Sequence, residues 1–125
     1  MKLTTYIVTA CIALAITSCE NQTTTSETKV PTTQTMDGIT TSTFKVWGNC
    51  DMCKETIEAS LKVEGVTKAN WSTESKVMTI AFDDKKISLD QIQKNIASVG
   101  YDNEKYRGDD IAYKGLPECC QYDRK

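Results

Sequence analysis

The segment that decides the fold reads FKVWGNCDMCKETIEASLKVEG and covers residues 44–65. At its start, Phe44 and Val46 alternate with polar neighbours, which predicts a short β-strand that ends just before the first cysteine. Over residues 53–63, apolar side chains recur one helical turn apart among charged ones, which predicts an amphipathic α-helix ending near Gly65. The segment therefore predicts a strand and then a helix, with a Cys-x-x-Cys motif at their junction.

The sequence beyond this segment continues with strand and helix patterns. Residues 66–71 are typical of a half-buried strand, and Met78, Ile80 and Phe82 line one face of the next one. A polar turn separates the two segments, which predicts a hairpin. A capping-box pattern starts at Ser88, and apolar residues at helical spacing follow it as far as Gly100, which predicts a second helix. Residues 101–106 can supply a last short strand.

The predicted order is strand, helix, strand, strand, helix, strand. This is the order of the ferredoxin-like fold, an α+β sandwich in which two helices cover one face of a four-stranded antiparallel sheet. We predict this βαββαβ domain over residues 41–106, followed by a C-terminal tail over residues 107–125.

The composition excludes several classes of protein. The 125 residues include 17 acidic and 15 basic side chains and no histidine. Without an imidazole, serine-type triads and histidine-bearing zinc sites are excluded. The mild negative charge argues against a nucleic-acid binder. Thiols are the remaining conspicuous chemistry, because the chain has 6 cysteines.

The amino end predicts export. Residues 1–18 combine a positive start with a short apolar run, as in a lipoprotein signal peptide, and the end of this run resembles a bacterial lipobox in front of Cys19. The resemblance implies that Cys19 carries lipid and holds the protein on a membrane of the bacterial cell envelope, facing outside the cytoplasm. An ordinary signal peptide and an uncleaved anchor are the alternatives. Residues 19–40 are rich in Thr and predict a disordered tether.

The Cys50–Cys53 pair predicts a soft-metal site. One thiol lies in a loop and the other in the first turn of a helix, so both converge on one point, and the helix amino end and Lys54 favour thiolates. Thiolates select Cu(I), Zn(II) and other thiophilic ions. Two ligands suit Cu(I), Ag(I) or Hg(II), whereas Zn(II) prefers four. Asp51 and Met52 are candidate auxiliary ligands, although solvent-facing spacers are the favoured interpretation. A redox or structural disulfide is the alternative for the cysteine pair.

A set of residues spread over the predicted domain carries a family resemblance. These residues are Phe44, Val46, Cys50, Asp51, Met52, Cys53, Ile57, Glu58, Leu61, Gly65, Val66, Met78, Ile80, Phe82, Ile92, Ile96, Gly100 and Tyr101. Through them the chain resembles the heavy-metal-associated (HMA) domain family over residues 41–106. The resemblance implies binding of soft cations, most often Cu(I), as in copper chaperones, transport ATPases and mercury-scavenging proteins.

Two details follow from this resemblance. The family usually has Gly-Met-x-Cys before the pair, whereas this chain has Trp47 and Gly48 in place of the glycine and the methionine, so we expect a differently shaped loop. Tyr101 should lie beside the metal loop and shield it. Ordinary core packing is the alternative role for Tyr101.

The tail contains a second pair of cysteines, Cys119 and Cys120. An extended chain from residue 107 to residue 118 can span about 40 Å, which is enough to return across a small domain. We therefore expect both tail cysteines as further metal ligands in the site of Cys50 and Cys53. Disulfides between the two cysteine pairs and an independent second metal site are the alternatives.

Three functions compete at this point. The first is a non-enzymatic module that binds Cu(I) for envelope metal trafficking or sequestration, with a metal-transport protein as its partner and no nucleic acid. The second is a thiol-disulfide oxidoreductase, but Pro31 and Pro117 are the only prolines, so the domain lacks the proline that faces a thioredoxin disulfide. The third is a structural lipoprotein whose cysteines are paired.

Overall fold

The computed structural model describes residues 32–124 and contains one antiparallel sheet with helices. The predictions for residues 1–18, for Cys19 and for the first part of the tether lie outside the described residues. The elements in chain order are β1 (Thr32–Met36), β2 (Ile39–Lys45), α1 (Asp51–Ala59), β3 (Val66–Trp71), β4 (Val77–Asp83), α2 (Leu89–Ser98), α3 (Asp110–Lys114) and a 3₁₀ helix (Glu118–Cys120).

The four strands pair in the order β1-β2-β4-β3, and every pairing is antiparallel. The predicted hairpin is confirmed as β3 and β4, with a register shift near Val66. The predicted helices are confirmed as α1 and α2, although α1 ends at Ala59 rather than near residue 63. In α2 the Ser88 side chain accepts a hydrogen bond from the Gln91 amide, as the capping-box pattern predicts. The α+β, ferredoxin-like fold class is confirmed.

The prediction of a disordered tether is wrong for residues 32–40. These residues form β1, a tight turn and the start of β2. Asp37 and Gly38 both have positive φ, 49° and 79°, which is the conformation that a two-residue hairpin turn requires. Thr33 and Thr35 then form side-chain hydrogen bonds with Ser42 and Thr40 of β2, at 3.1 and 3.2 Å. Threonine favours strands, and these cross-strand hydrogen bonds stabilise a hairpin that has few apolar side chains.

The predicted last strand over residues 101–106 is also wrong. This segment makes one isolated bridge, between Val46 and Asn103. β1 pairs with the edge of β2 along which a longer strand would have to lie. The Asn103 side chain accepts hydrogen bonds from the amides of Lys105 and Tyr106, so the chain turns instead of extending. Its amide group also donates to the Gln93 carbonyl at 2.8 Å, which holds this turn against α2.

One hydrophobic core fills the space between the sheet and the helices, and it includes parts of the tail. The prediction that the tail lies outside the domain is wrong, because Cys120 and Tyr122 are buried. Within residues 32–124, no helix combines the length and the apolar character needed to cross a membrane. The buried core residues are Phe44, Val46, Cys53, Ile57, Leu61, Trp71, Met78, Ile80, Phe82, Ile92, Ile96, Tyr101, Cys120 and Tyr122.

Candidate metal centre

The Cys50–Cys53 pair lies at the amino end of α1. Cys50 is the residue that precedes the helix, has an extended backbone and makes no capping hydrogen bond with its side chain, so its thiol is directed elsewhere. Cys53 is fully buried in the first turn, and its Sγ accepts a hydrogen bond from the Asn49 amide at 3.3 Å. The two Sγ atoms are 3.5 Å apart. The helix therefore brings one half-buried and one buried thiol together.

The tail brings two more thiols to the same place. The Sγ of Cys120 lies 3.7 Å from that of Cys50 and 3.9 Å from that of Cys119. The sulfurs of Cys50, Cys119 and Cys120 all lie within 4.8 Å of one another. The tail thus returns to the Cys-x-x-Cys motif, as its length allowed. The four cysteines in the described part of the chain are free thiols.

The 3₁₀ helix gives the two tail cysteines different environments. It exposes Cys119 and turns Cys120 into the core. Burial raises the pKa of Cys120 to about 12, and the nearby Cys53 thiol adds to the shift. In the metal-free protein Cys120 is therefore protonated at neutral pH.

Tyr122 anchors the tail immediately after these cysteines. Its hydroxyl donates a hydrogen bond to the Gly100 carbonyl at 3.0 Å and accepts one from the Asp102 amide at 2.7 Å. Its ring stacks on Tyr101 at a centroid distance of 5.9 Å and meets the edge of Tyr113 at 5.3 Å. These contacts fix the tail against the end of α2.

Arg124 forms a second anchor. Its guanidinium donates to the carboxylates of Asp102 and Asp110, each at 2.7 Å, and to the Gly108 carbonyl. It also lies 4.5 Å from the centroid of the Tyr113 ring. Our sequence reasoning missed Tyr122, Arg124 and Asp102, because no local pattern indicates which distant residue an arginine or a tyrosine will meet.

Tyr101 lies beside the thiols, where the resemblance predicted it. The residue is fully buried, and its hydroxyl makes no hydrogen bond to any residue between 32 and 124. Burial raises the pKa of Tyr101, and the thiols of Cys53 and Cys120 raise it further. The hydroxyl is thus an unsatisfied donor next to two candidate ligands. Shielding of the metal by Tyr101 stays a prediction.

Lys54, which was expected to favour the thiolates, has three other partners in the structure. Its ammonium group donates to Glu58, to Asn70 and to the Trp71 carbonyl, at 2.5 to 2.8 Å. It therefore ties α1 to β3 instead of facing the sulfurs. Met52, in contrast, does more than separate the cysteines, because its Sδ accepts a hydrogen bond from the Cys119 thiol at 3.7 Å.

This chain has Gly48 where the family usually has a methionine, and a side chain from β3 occupies the space beside it. A Cβ atom at Gly48 would lie 2.9 Å from the indole ring of Trp71 and 3.3 Å from the Cβ of Cys53. Trp71 is fully buried, and its Nε1 donates to the Val46 carbonyl at 3.1 Å. The Trp71 ring therefore fills the space beside the thiol loop that a side chain at position 48 would need.

Comparison of the sequence with known proteins identifies the family of this chain. Residues 35–102 match the heavy-metal-associated domain. The chain belongs to this family. The copper chaperone CopZ of Staphylococcus saprophyticus is 38% identical to it over 64 residues, which cover 50% of this chain and 94% of that protein. CopZ of Staphylococcus aureus is 33% identical over 55 residues, which cover 43% and 81%.

A solved structure gives the same family. The crystal structure of oxidized MerP from Ralstonia metallidurans CH34 is 34% identical, covers 53% of this chain and 94% of that one, and superposes with a TM-score of 0.50. The matched region of this HMA chain includes Cys50 and Cys53 and ends before the tail. The tail cysteines are therefore an addition to the part that the family shares. Membership in the HMA family supports a metal-binding role.

Proposed function

We propose that the chain binds a soft metal ion, best matched by Cu(I), and carries or sequesters it without catalysing a reaction. The ligands are Cys50 and Cys53 of the Cys-x-x-Cys motif, and Cys120 joins them as a third thiolate. One observation carries the proposal: the Cys50 sulfur lies 3.5 Å from that of Cys53 and 3.7 Å from that of Cys120. The copper chaperones among the relatives support copper as the ion.

The spacing of the sulfurs bears on the coordination. A thiolate sulfur binds an ion at about 2.3 Å, so sulfurs that share one ion lie about 4.6 Å apart in a line, about 4.0 Å in a triangle and about 3.8 Å in a tetrahedron. The distances from Cys50 to Cys53 and to Cys120 are shorter than the linear value. Both distances are nearest to the tetrahedral value, so they favour an ion held by more than two thiolates over a linear pair. Zn(II), Ag(I) and Hg(II) are the competing ions for such a sulfur-only site.

Exposure indicates how the cargo would be exchanged. Cys50 is half-buried and Cys119 exposed, whereas Cys53 and Cys120 are buried. A partner's thiolate would first reach the ion on the side of Cys50 and Cys119. We propose a metal-transport protein as this partner.

Metal titration tests the proposal. The full chain would carry Cys11→Ser and Cys19→Ser, so that the four described cysteines are the available thiols, and the reduced protein would compete with a chromogenic Cu(I) chelator. Changing Cys50 or Cys53 to Ser should lower Cu(I) affinity by more than the roughly 10–100-fold that loss of an outer-shell partner costs. Unchanged affinity in these variants would refute the metal role and favour disulfide chemistry.

We propose further that a lipid on Cys19 holds the protein on a membrane of the cell envelope. The support is the amino-terminal sequence, in which an apolar run ends at Ile16, shortly before Cys19. Expression in a bacterium with labelled palmitate should label the full chain. The Cys19→Ala variant should lose the label, whereas the Cys11→Ala variant should keep it. Equal labelling of the two variants would contradict the anchor.

A further inference from the structure

The four thiols form two overlapping sets. Cys53 contacts Cys50 and lies outside the compact group of Cys50, Cys119 and Cys120, whose sulfurs are within 4.8 Å of one another. Cys50 belongs to both sets, and the Cys120 sulfur lies 3.7 Å from that of Cys50 and 3.9 Å from that of Cys119. Cys53 is buried and Cys119 exposed, so one set includes a thiol of the core and the other a thiol at the surface.

A fifth sulfur lies on the exposed side. The Met52 side chain is 51% exposed, and its Sδ lies 3.7 Å from the Sγ of Cys119. A thioether is a neutral, soft donor that suits Cu(I) and has little affinity for hard cations. An exposed thioether against an exposed thiol is therefore a second pair of soft ligands, adjacent to the first site.

A backbone contact supports this arrangement. The Cys50 thiol donates a hydrogen bond to the Cys119 carbonyl at 3.5 Å, so the exposed thiol is held over the start of α1. The anchors at Tyr122 and Arg124 fix the chain just beyond it. The exposed pair is thus positioned by the fold before any ion arrives.

We infer that the chain binds a second soft monovalent ion, held by Cys119 and Met52 and sharing the thiolates of Cys50 and Cys120 with the first ion. The inference rests on the proposed function, since the second ion uses ligands of the first. Bridging thiolates let four cysteines serve two ions. The second ion is the more exposed one, and one of its donors is neutral, so it dissociates first.

The test counts ions on the reduced full chain with Cys11→Ser and Cys19→Ser. Cu(I) would be added under a competing chelator and its stoichiometry read by native mass spectrometry, with X-ray absorption to detect scattering between two copper atoms. We expect two Cu(I) ions on this parent chain. Cys119→Ser should retain one ion and lose the copper–copper scattering.

Methionine variants isolate the thioether. Met52→Leu keeps the size and apolar character of the side chain. It should weaken binding of the second ion by at least the roughly tenfold that loss of an outer-shell partner costs, and leave binding of the first ion unchanged. Met36→Leu is the matched control, because Met36 is also exposed but lies on β1, and it should change neither ion.

The outcomes separate the two proposals. A parent chain that stops at one ion, or a Cys119→Ser chain that still takes two, overturns the second site. In either case, loss of the single or inner ion in Cys53→Ser leaves the proposed function intact. A parent chain that binds no Cu(I) overturns both.

Discussion

Arg124 donates to the Asp102 carboxylate at 2.7 Å, and each of these side chains is 10% exposed. The pair joins the end of the described chain to the residues that follow α2. Cys119 and Cys120 lie between this anchor and α3, so the position of both thiols depends on it. The tail is thereby part of the folded domain.

We predict that Arg124→Gln destabilises the protein strongly. The change leaves a buried carboxylate without its partner, which typically costs about 3–5 kcal/mol. The matched control is Lys86→Gln, because Lys86 is 53% exposed and lies 3.3 Å from Glu64, a surface pair worth about 0–1 kcal/mol. Urea unfolding of both variants measures the difference. Equal losses in the two variants would show that the tail anchor contributes no more than a surface pair.

Acid should weaken the same anchor. Burial alone would raise the pKa of Asp102, but hydrogen bonds from Arg124 and the Gly108 amide lower it overall, below the ordinary value of 3.8. A carboxyl group whose pKa is lowered by folding adds stability that is complete above its unfolded pKa and is lost as the pH falls through its folded pKa. We therefore expect the free energy of unfolding to decrease as the solution is acidified below a pH of about 4.

Comparison with Arg124→Gln isolates this effect from other acidic groups. Without the guanidinium, the pKa of Asp102 should lie closer to or above its ordinary value, so less stability is lost in acid. Unfolding by urea at a series of pH values gives both curves. Parallel curves would mean that other carboxyl groups account for the acid sensitivity.

The sequence predicted the parts of the fold that depend on local pattern. The spacing around Ile92 and Ile96, and the alternation over Met78 and Ile80, follow from burying one face of a helix or a strand. The hairpin of β1 and β2 was missed because its threonines suggested disorder, although Asp37-Gly38 is a strong turn signal. Here turn chemistry outweighed composition.

In the candidate site, too, local features could be predicted from the sequence and long-range contacts could not. Cys50 and Cys53 could be predicted because their spacing and their place at a helix start are local. The approach of Cys120 could be predicted only as a possibility of chain length, since its position depends on Tyr122 and Arg124. Such long-range contacts leave no periodic trace in the sequence.

Gly48→Ala should be more harmful than an alanine at an ordinary glycine. The new Cβ would lie 2.9 Å from the Trp71 ring, and overpacking of a core costs about 1–3 kcal/mol. Gly115→Ala is the control, since its Cβ would meet nothing closer than 3.4 Å and its φ is −81°. Thermal unfolding and Cu(I) affinity would be measured for both. A neutral Gly48→Ala would show that the Trp71 ring can move aside.

The four thiols should react with alkylating agents in the order of their burial. Cys119 is exposed and should react first, and the half-buried Cys50 second. Cys53 and Cys120 should be protected, because both are buried and the pKa of Cys120 is raised to about 12. Timed labelling of the reduced metal-free protein with iodoacetamide, read by peptide mass spectrometry, gives the order. Labelling of all four at similar rates in native buffer, as in urea, would contradict a docked tail.

The stacked tyrosines Tyr101 and Tyr122 allow a matched test of what each hydroxyl does. The Tyr122 hydroxyl makes two hydrogen bonds, so Tyr122→Phe should leave buried backbone groups unpaired and cost about 1–3 kcal/mol. The Tyr101 hydroxyl makes none within residues 32–124, so Tyr101→Phe should leave the stability of the metal-free protein unchanged or raise it slightly. Urea unfolding compares the two variants.

Metal should reveal a role for the Tyr101 hydroxyl. A metal-bound thiolate of Cys53 or Cys120 is a charged acceptor beside it, and a hydrogen bond to a charged partner is stronger than a neutral one. Tyr101→Phe should therefore lower Cu(I) affinity, so that the ion stabilises this variant against urea less than it stabilises the wild type. Equal stabilisation of the two proteins by Cu(I) would mean that the Tyr101 hydroxyl makes no hydrogen bond to the metal-bound thiolates. The residue would then contribute to packing alone.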